Sequence, residues 1–325
     1  ESKYYIKRPP EDLFIQYVEN PGALLRIRGP RQFGKTSLLT RVISHAASQG
    51  YTIVAIDFQE FDEEVMSNLN NLLWEFCSYF AEELDLEDKL AERWERPRAK
   101  KQTCTAFIEK EILRTNDKPI LLALDEADRL FRYKDVSTEF FLLLRSWHEK
   151  SKVPNKPEWE KFRLVLSYST EAKLAIQDLN ASPFNVGEEA KLFPFSEDQV
   201  EELVHRHGLS WNSENLKEIM HLLGGQPYLV RRSLYLLAKG EYSYRELLAN
   251  ASKHDGPFSD HLRHHLVNIK QYTEAIEAMK DIVEKGKCKD PLMATRLEAT
   301  GLTKGSPPDV TTANELYATY FKGKL

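Results

Sequence analysis

The chain is 325 residues long, more than one compact domain usually needs, so two or three cores are expected. Hydrophobic residues make up 42% and charged residues 29%, which describes an ordinary globular protein and excludes a disordered or fibrous one. The formal net charge of -5 argues against a protein coated in nucleic acid, while leaving room for a local basic patch.

The opening "ESKYYIKRPPEDLF" lacks the apolar centre of a signal peptide, and no apolar run approaches the roughly 20 residues that span a bilayer. A cytoplasmic protein without a membrane partner is therefore expected. Cys77, Cys104 and Cys288 are odd in number, far apart in sequence and outside any Cys-x-x-Cys pair. That pattern predicts reduced structural thiols, with neither a disulfide framework nor a zinc site.

In chain order, "ALLRIR" (23–28), flanked by "NPG" and "GP", predicts a strand entering a turn. From residue 35 to 47 the apolar positions Leu38, Leu39, Val42 and Ile43 follow a helical period. "YTIVAIDF" (51–58), "PILLALD" (119–125) and "FRLVLSYS" (162–169) predict three further strands, with helical patterns such as "NLNNLLWEFCSYFAEEL" and "TEFFLLLRSWHEK" between them. Alternation of this kind predicts an α/β fold with a parallel sheet carrying helices on both faces.

After about residue 191 the character changes. "LFPF" (192–195) predicts a final strand, and "SEDQ" (196–199) a capping box that opens a helix through His205. A helix over 214–223 ends at Gly224-Gly225, and Pro227 stands where a first-turn proline starts the next. Beyond Gly256 helical patterns lead to short extended pieces around "GSPPD", an arrangement resembling a winged helix. The expected division is an α/β domain over 1–195, a small all-α domain over 196–253 and a winged-helix-like domain over 254–325. "NKPEW" and "KHDGP" read as surface loops.

The segment Gly29-Pro30-Arg31-Gln32-Phe33-Gly34-Lys35-Thr36 fits G-x-x-x-x-G-K-[ST] at every specified position, followed by Ser37. Glycines let backbone N–H groups curl around phosphate oxygens, and a helix amino terminus adds a favourable dipole. Lys35 is expected to reach the β and γ phosphates of ATP, and Thr36 to ligate Mg²⁺. Asp125 and Glu126 close the run "ILLALDE". A carboxylate there suits the Mg²⁺ water shell, and its neighbour suits orienting or deprotonating the attacking water. "SYSTE" (167–171) ends the next predicted strand, where Ser169 or Thr170 can meet the γ-phosphate.

Taken together, "GPRQFGKTSLL", "LDEADRLF", the polar strand end and "GGQP" resemble the STAND branch of AAA+-related P-loop ATPases. "LRSWHE", "STE" and "GPFSDHLRHHL" look closest to the AAA-like domains of bacterial signalling proteins. The resemblance implies an ATP-driven switch, with ADP and ATP as its nucleotides, in which 1–195 is the P-loop nucleotide-binding domain, 196–253 the helical lid and 254–325 the winged-helix domain. It nominates Ile6 and Arg8 near adenine, although Lys7-Arg8-Pro9 replaces the usual Gly-Arg-Glu. It also nominates Pro227 against the base, and His261 against the ADP β-phosphate. Arg145 is a candidate arginine finger towards a neighbouring subunit.

Two functional readings follow. In the first, the module is closed with ADP, opens or self-associates with ATP, and regulates an effector. In the alternative, it is a DNA-associated AAA+ protein of the origin-recognition or transposition-regulator type. From residue 251 to 325 there are 11 Lys and Arg against 10 Asp and Glu, and the basic residues are dispersed, which disfavours nucleic acid as the partner. A metabolic kinase would need an acceptor pocket that no motif announces. The chain begins almost directly at the nucleotide-binding segment, so a fragment of a longer protein is an open reading.

Overall fold

The computed structural model describes residues 2–170 and 183–325; Glu171 of the "SYSTE" run lies outside them. Two compact units emerge. A sheet unit comprises Pro9–Gly29 and Lys35–Lys191, and a helical unit comprises Glu1–Arg8, Pro30–Gly34 and Leu192–Leu325.

In the sheet unit, α1 (Glu11–Tyr17) precedes β1 (Leu24–Gly29), α2 (Lys35–Ser48) and β2 (Thr52–Asp57). Then come α3 (Glu63–Ser67), α4 (Leu69–Leu84), α5 (Glu87–Trp94), α6 (Lys100–Phe107) and β3 (Ile120–Asp125). The unit is completed by α7 (Lys134–Lys150), β4 (Phe162–Ser169) and β5 (Glu188–Lys191). The five strands are parallel in the order β2-β3-β4-β1-β5, as the alternation of apolar runs and helical patterns predicts.

β3 and β4 are buried along their whole length, which explains their unbroken apolar sequence. Successive side chains point to opposite faces. Ile120, Leu122 and Leu124 join one core with Phe76 and Phe80 of α4 and Phe140 and Trp147 of α7. Leu121 and Ala123 turn to the other face. Asn68 caps α4 through its side chain, which accepts from the N–H of Asn70 and Asn71.

Two expectations are corrected. The final strand is Glu188–Lys191, paired to β1, and "LFPF" lies beyond it. Phe193 is 58% exposed and Pro194 has no N–H to offer a ladder, so the apolar letters do not make a strand. "NKPEW" forms part of a 3₁₀ turn, Pro157–Lys161, in which Trp159 is fully buried against Trp147 and Phe162. Cys77 and Cys104, remote in sequence, meet in the core with their Sγ atoms 3.2 Å apart as free thiols.

In the helical unit, α8 (Glu197–Arg206), α9 (Ser213–Leu223), α10 (Pro227–Ala238) and α11 (Tyr244–Asn250) come first. α12 (Ser259–Lys270), α13 (Thr273–Lys285) and α14 (Pro291–Ala299) follow. An antiparallel hairpin, β6 (Thr303–Ser306) and β7 (Asp309–Thr312), then leads into α15 (Glu315–Lys322). The capping box at Ser196 and Gln199 forms. One apolar cluster runs through the unit from Phe195, Val200 and Leu229 to Leu262, Leu297 and Phe321. Gly224 ends α9 in the left-handed region, and a Cβ on Gly225, at φ +69°, would sit 2.1 Å from the carbonyl oxygen of Phe195. Among the described residues, no helix is long and apolar enough to cross a membrane.

Candidate functional site

Parallel pairing sets the carboxyl ends of four strands side by side. Gly29 of β1 lies beside Ser169 of β4, and Asp57 of β2 beside Asp125 of β3. Open α/β sheets bind ligands along this edge. The first turn of α2 begins here, reading Lys35-Thr36-Ser37, with Lys35 buried and Thr36 and Ser37 exposed. The preceding Gly34 has φ +89°, a backbone geometry that only glycine adopts without strain.

Asp125 is buried, and its Oδ1 accepts from the backbone N–H of Glu126 at 2.9 Å. Glu126 has φ +50°, the left-handed region, which is uncommon for a side chain of this size. Asp128 follows in the turn, where its Oδ1 accepts from the backbone N–H of Ser169 at 2.9 Å. That bond ties the acidic turn to the end of β4. Ser169 is buried and Thr170 is half-buried.

The donor set fits a nucleotide phosphate with Mg²⁺. A helix amino terminus bearing a lysine and two hydroxyls suits a polyphosphate, and carboxylates on adjoining strand ends suit a hard cation with its water. Asp57 and Asp128 escaped the sequence reading. Asp57 carries the same signal as Asp125, a carboxylate closing an apolar strand, but no second acid follows it.

Arg145 lies 11 residues into α7 from Lys134, about 16 Å along the helix at ~1.5 Å per residue. Its Nε pairs with Glu149 at 2.9 Å and its Nη1 donates to Asn185 Oδ1 at 2.8 Å.

Within the helical unit, residues 30–34 are held by groups from three distant segments of the chain. Arg8 donates from Nη2 to the carbonyl oxygen of Phe33 at 2.7 Å, and its guanidinium stacks 4.7 Å from the Phe195 ring centre. Ile6 is buried in the same unit. Gly301 packs so closely on Pro30 that a Cβ there would lie 3.0 Å from the proline Cβ. His261, on α12, meets Oε1 of Gln32 through Nδ1 at 2.6 Å and the hydroxyl of Tyr317 through Nε2 at 2.8 Å.

Burial, and the neighbouring His264 after it, lower the His261 imidazole from 6.5 to about 4, so the ring is neutral at pH 7. A neutral ring with these partners donates from Nδ1 to Gln32 and accepts at Nε2 from Tyr317 O–H. Tyr228, beside Pro227, stacks on the same ring at 5.4 Å. His264 meets Arg31 Nη1 at 3.3 Å. Pro227 is buried at the first position of α10, behind the capping Gln226. Gly301, Tyr228 and Tyr317 carried no sequence signal, because their partners lie far away in the chain.

A model of the AAA-like domain family matches residues 1–323. No curated protein matches the chain significantly. Among solved structures, a Walker-type ATPase of Pyrococcus abyssi superposes with a TM-score of 0.64 at 16% identity, covering 98% of this chain and 96% of that one. The ORC2 protein of Aeropyrum pernix, solved as ADPNP and ADP complexes, gives 0.55 at 15% identity, covering 98% and 94%. These likenesses establish a P-loop ATPase fold.

Proposed function

The chain belongs to the AAA-like domain family, and from that premise we propose that it is an ATP-binding, slowly hydrolysing switch of the STAND type. The observation that supports this best is the convergence of Lys35, Asp125, Glu126 and Ser169 on the carboxyl edge of a sheet in which β1 lies between β4 and β5. Lys35 and the backbone of residues 29–36 would hold the phosphates, Thr36 and Asp125 would hold Mg²⁺, and Ser169 or Thr170 would meet the γ-phosphate. Bound there, Mg²⁺ would neutralise charge on the phosphate oxygens. Glu126 orients the attacking water and takes its proton as the bond from the γ-phosphorus to the ADP oxygen breaks.

In this reading residues 196–253 form the lid and 254–325 the winged-helix domain that follow the nucleotide-binding domain of residues 1–195. Ile6, Arg8 and Pro227 would contact the base. His261, which holds Gln32 of the phosphate loop, links α12 to nucleotide state. Differential affinity for ADP and ATP then shifts the conformation and promotes self-association in the ATP state, regulating an effector. Arg145 serves as a finger in trans only if it leaves Glu149 and Asn185.

The deciding experiment measures ATP turnover together with the mass in solution under ADP and under ATP. Slow turnover with a larger mass in ATP supports the switch. One mass under both nucleotides, with steeply salt-dependent DNA binding, supports the DNA-associated alternative.

A further inference from the structure

A second charged site lies on the sheet unit, away from the edge described above. Residues 93–101, "RWERPRAKK", place five basic residues and one carboxylate in nine positions of a chain whose net charge is -5. Arg93 and Arg96 pair with Glu111 and Glu92, and Lys100 donates to the carbonyl oxygen of Trp94. Arg98 and Lys101, the latter paired with Glu139, line an open cleft of about 480 Å³ with Gln102, Lys110 and Lys150. Glu109 is the one carboxylate in the lining, against four cations.

Glu109 is already satisfied from behind. It accepts from Lys156 Nζ at 3.0 Å, Arg114 Nη2 at 2.9 Å and Trp159 Nε1 at 3.1 Å. Burial pushes its carboxyl up, but the bonds from Lys156 and Trp159 outweigh this and hold it below the usual range. Lys150 is therefore left 3.9 Å from a carboxylate that three other donors share. Lys101 pairs with Glu139, which stands outside the cavity lining.

The backbone is unusual at this place. α6 continues as a π-helix, Ile108–Leu113, which carries Glu109 and Lys110. π-Helical turns are rare, and they recur at functional sites because the extra residue per turn re-aims side chains. α6 and α7 run back towards the amino ends of β3 and β4, so Lys110 and Lys150 lie near the edge of the sheet opposite to Lys35.

We propose that this cavity binds a small phosphorylated anion, of pyrophosphate to nucleotide size, at a site separate from the phosphate loop. The volume lies within the range of small-molecule sites, roughly 300–1,000 Å³. One guanidinium and three ammonium groups along one cleft supply the charge and the donors that phosphate oxygens take. The inference does not depend on the role given to Lys35.

The test is calorimetric titration of inorganic pyrophosphate into the whole chain bearing Lys35→Ala, which separates this site from the phosphate loop. The expected result is one binding event that weakens as salt is raised. It should weaken at least tenfold further when Arg98→Glu and Lys110→Glu are added. Both side chains are exposed, so circular dichroism and the melting curve should stay unchanged. Absence of binding at millimolar pyrophosphate, or equal binding by the charge-reversed protein, would overturn the proposal. So would charge-dependent binding of a single-stranded oligonucleotide without binding of pyrophosphate, which would assign the surface to nucleic acid.

Discussion

His261 Nδ1 and Gln32 Oε1 stand 2.6 Å apart although 229 positions separate them in sequence, so α12 holds a side chain of the glycine-bounded loop that precedes α2. The ring is neutral and buried, and its other nitrogen is engaged by Tyr317. Acid should oppose this arrangement. The folded ring titrates at about 4 against 6.5 when unfolded, so the unfolded chain binds more protons between those values. The contribution is complete above about pH 6.5 and is lost as pH falls towards 4. At ~1.4 kcal/mol per unit it is on the order of 3 kcal/mol. Urea midpoints of the wild type and His261→Gln between pH 7 and 4 measure it. The variant should show a shallower fall, and equal slopes would remove His261 from the acid response.

Replacing Lys35 by Ala should cost at least tenfold in affinity for ATP. Triphosphate charge would lose its ammonium in a site where screening by water is reduced. Titration with a fluorescent ATP analogue reads this directly, and unchanged affinity would dissociate residues 29–36 from phosphate binding.

Glu126→Gln should bind ATP as the wild type does and hydrolyse it on the order of 100-fold more slowly, since the amide cannot take a proton from water. Released phosphate under saturating ATP gives the answer. Equal turnover would move the base elsewhere, with Asp128 the next carboxylate to examine.

Pro227→Ala should speed the release of ADP several-fold with little change in melting temperature. A first-turn proline is replaceable in a helix, whereas its ring surface is not. The off-rate of a fluorescent ADP analogue tests the role, and an unchanged rate would leave Pro227 as a helix starter.

Gly225→Ala should destabilise the helical unit by about 1–3 kcal/mol, because the new methyl would fall on the Phe195 carbonyl oxygen at a positive φ. A lowered melting transition is expected. An unchanged one would mean that the Phe195 segment yields without cost.

Much of the sheet was legible because β3 and β4 are buried on both faces and therefore read as continuous apolar runs. β5 was not, since Glu188, Glu189 and Lys191 make an edge strand by pairing alone, while the apolar "LFPF" next to it misled. The carboxylate doublet pointed to Asp125, but the equivalent place of Asp57 needs the register of β2 against β3. Likewise Cys77 and Cys104 sit on separate helices whose packing brings them together. Contacts of this kind are set by tertiary geometry, which composition and periodicity do not encode.

The left-handed backbone at Glu126 means that two separate filters act on that position. Conformation favours glycine, asparagine or aspartate there, because each tolerates a positive φ better than a longer side chain does. The role proposed for Glu126 asks for a carboxylate with reach. On the proposed role, position 126 would therefore trade a little backbone stability for turnover. A screen for thermal stability alone would discard the glutamate, and a screen for activity would restore it.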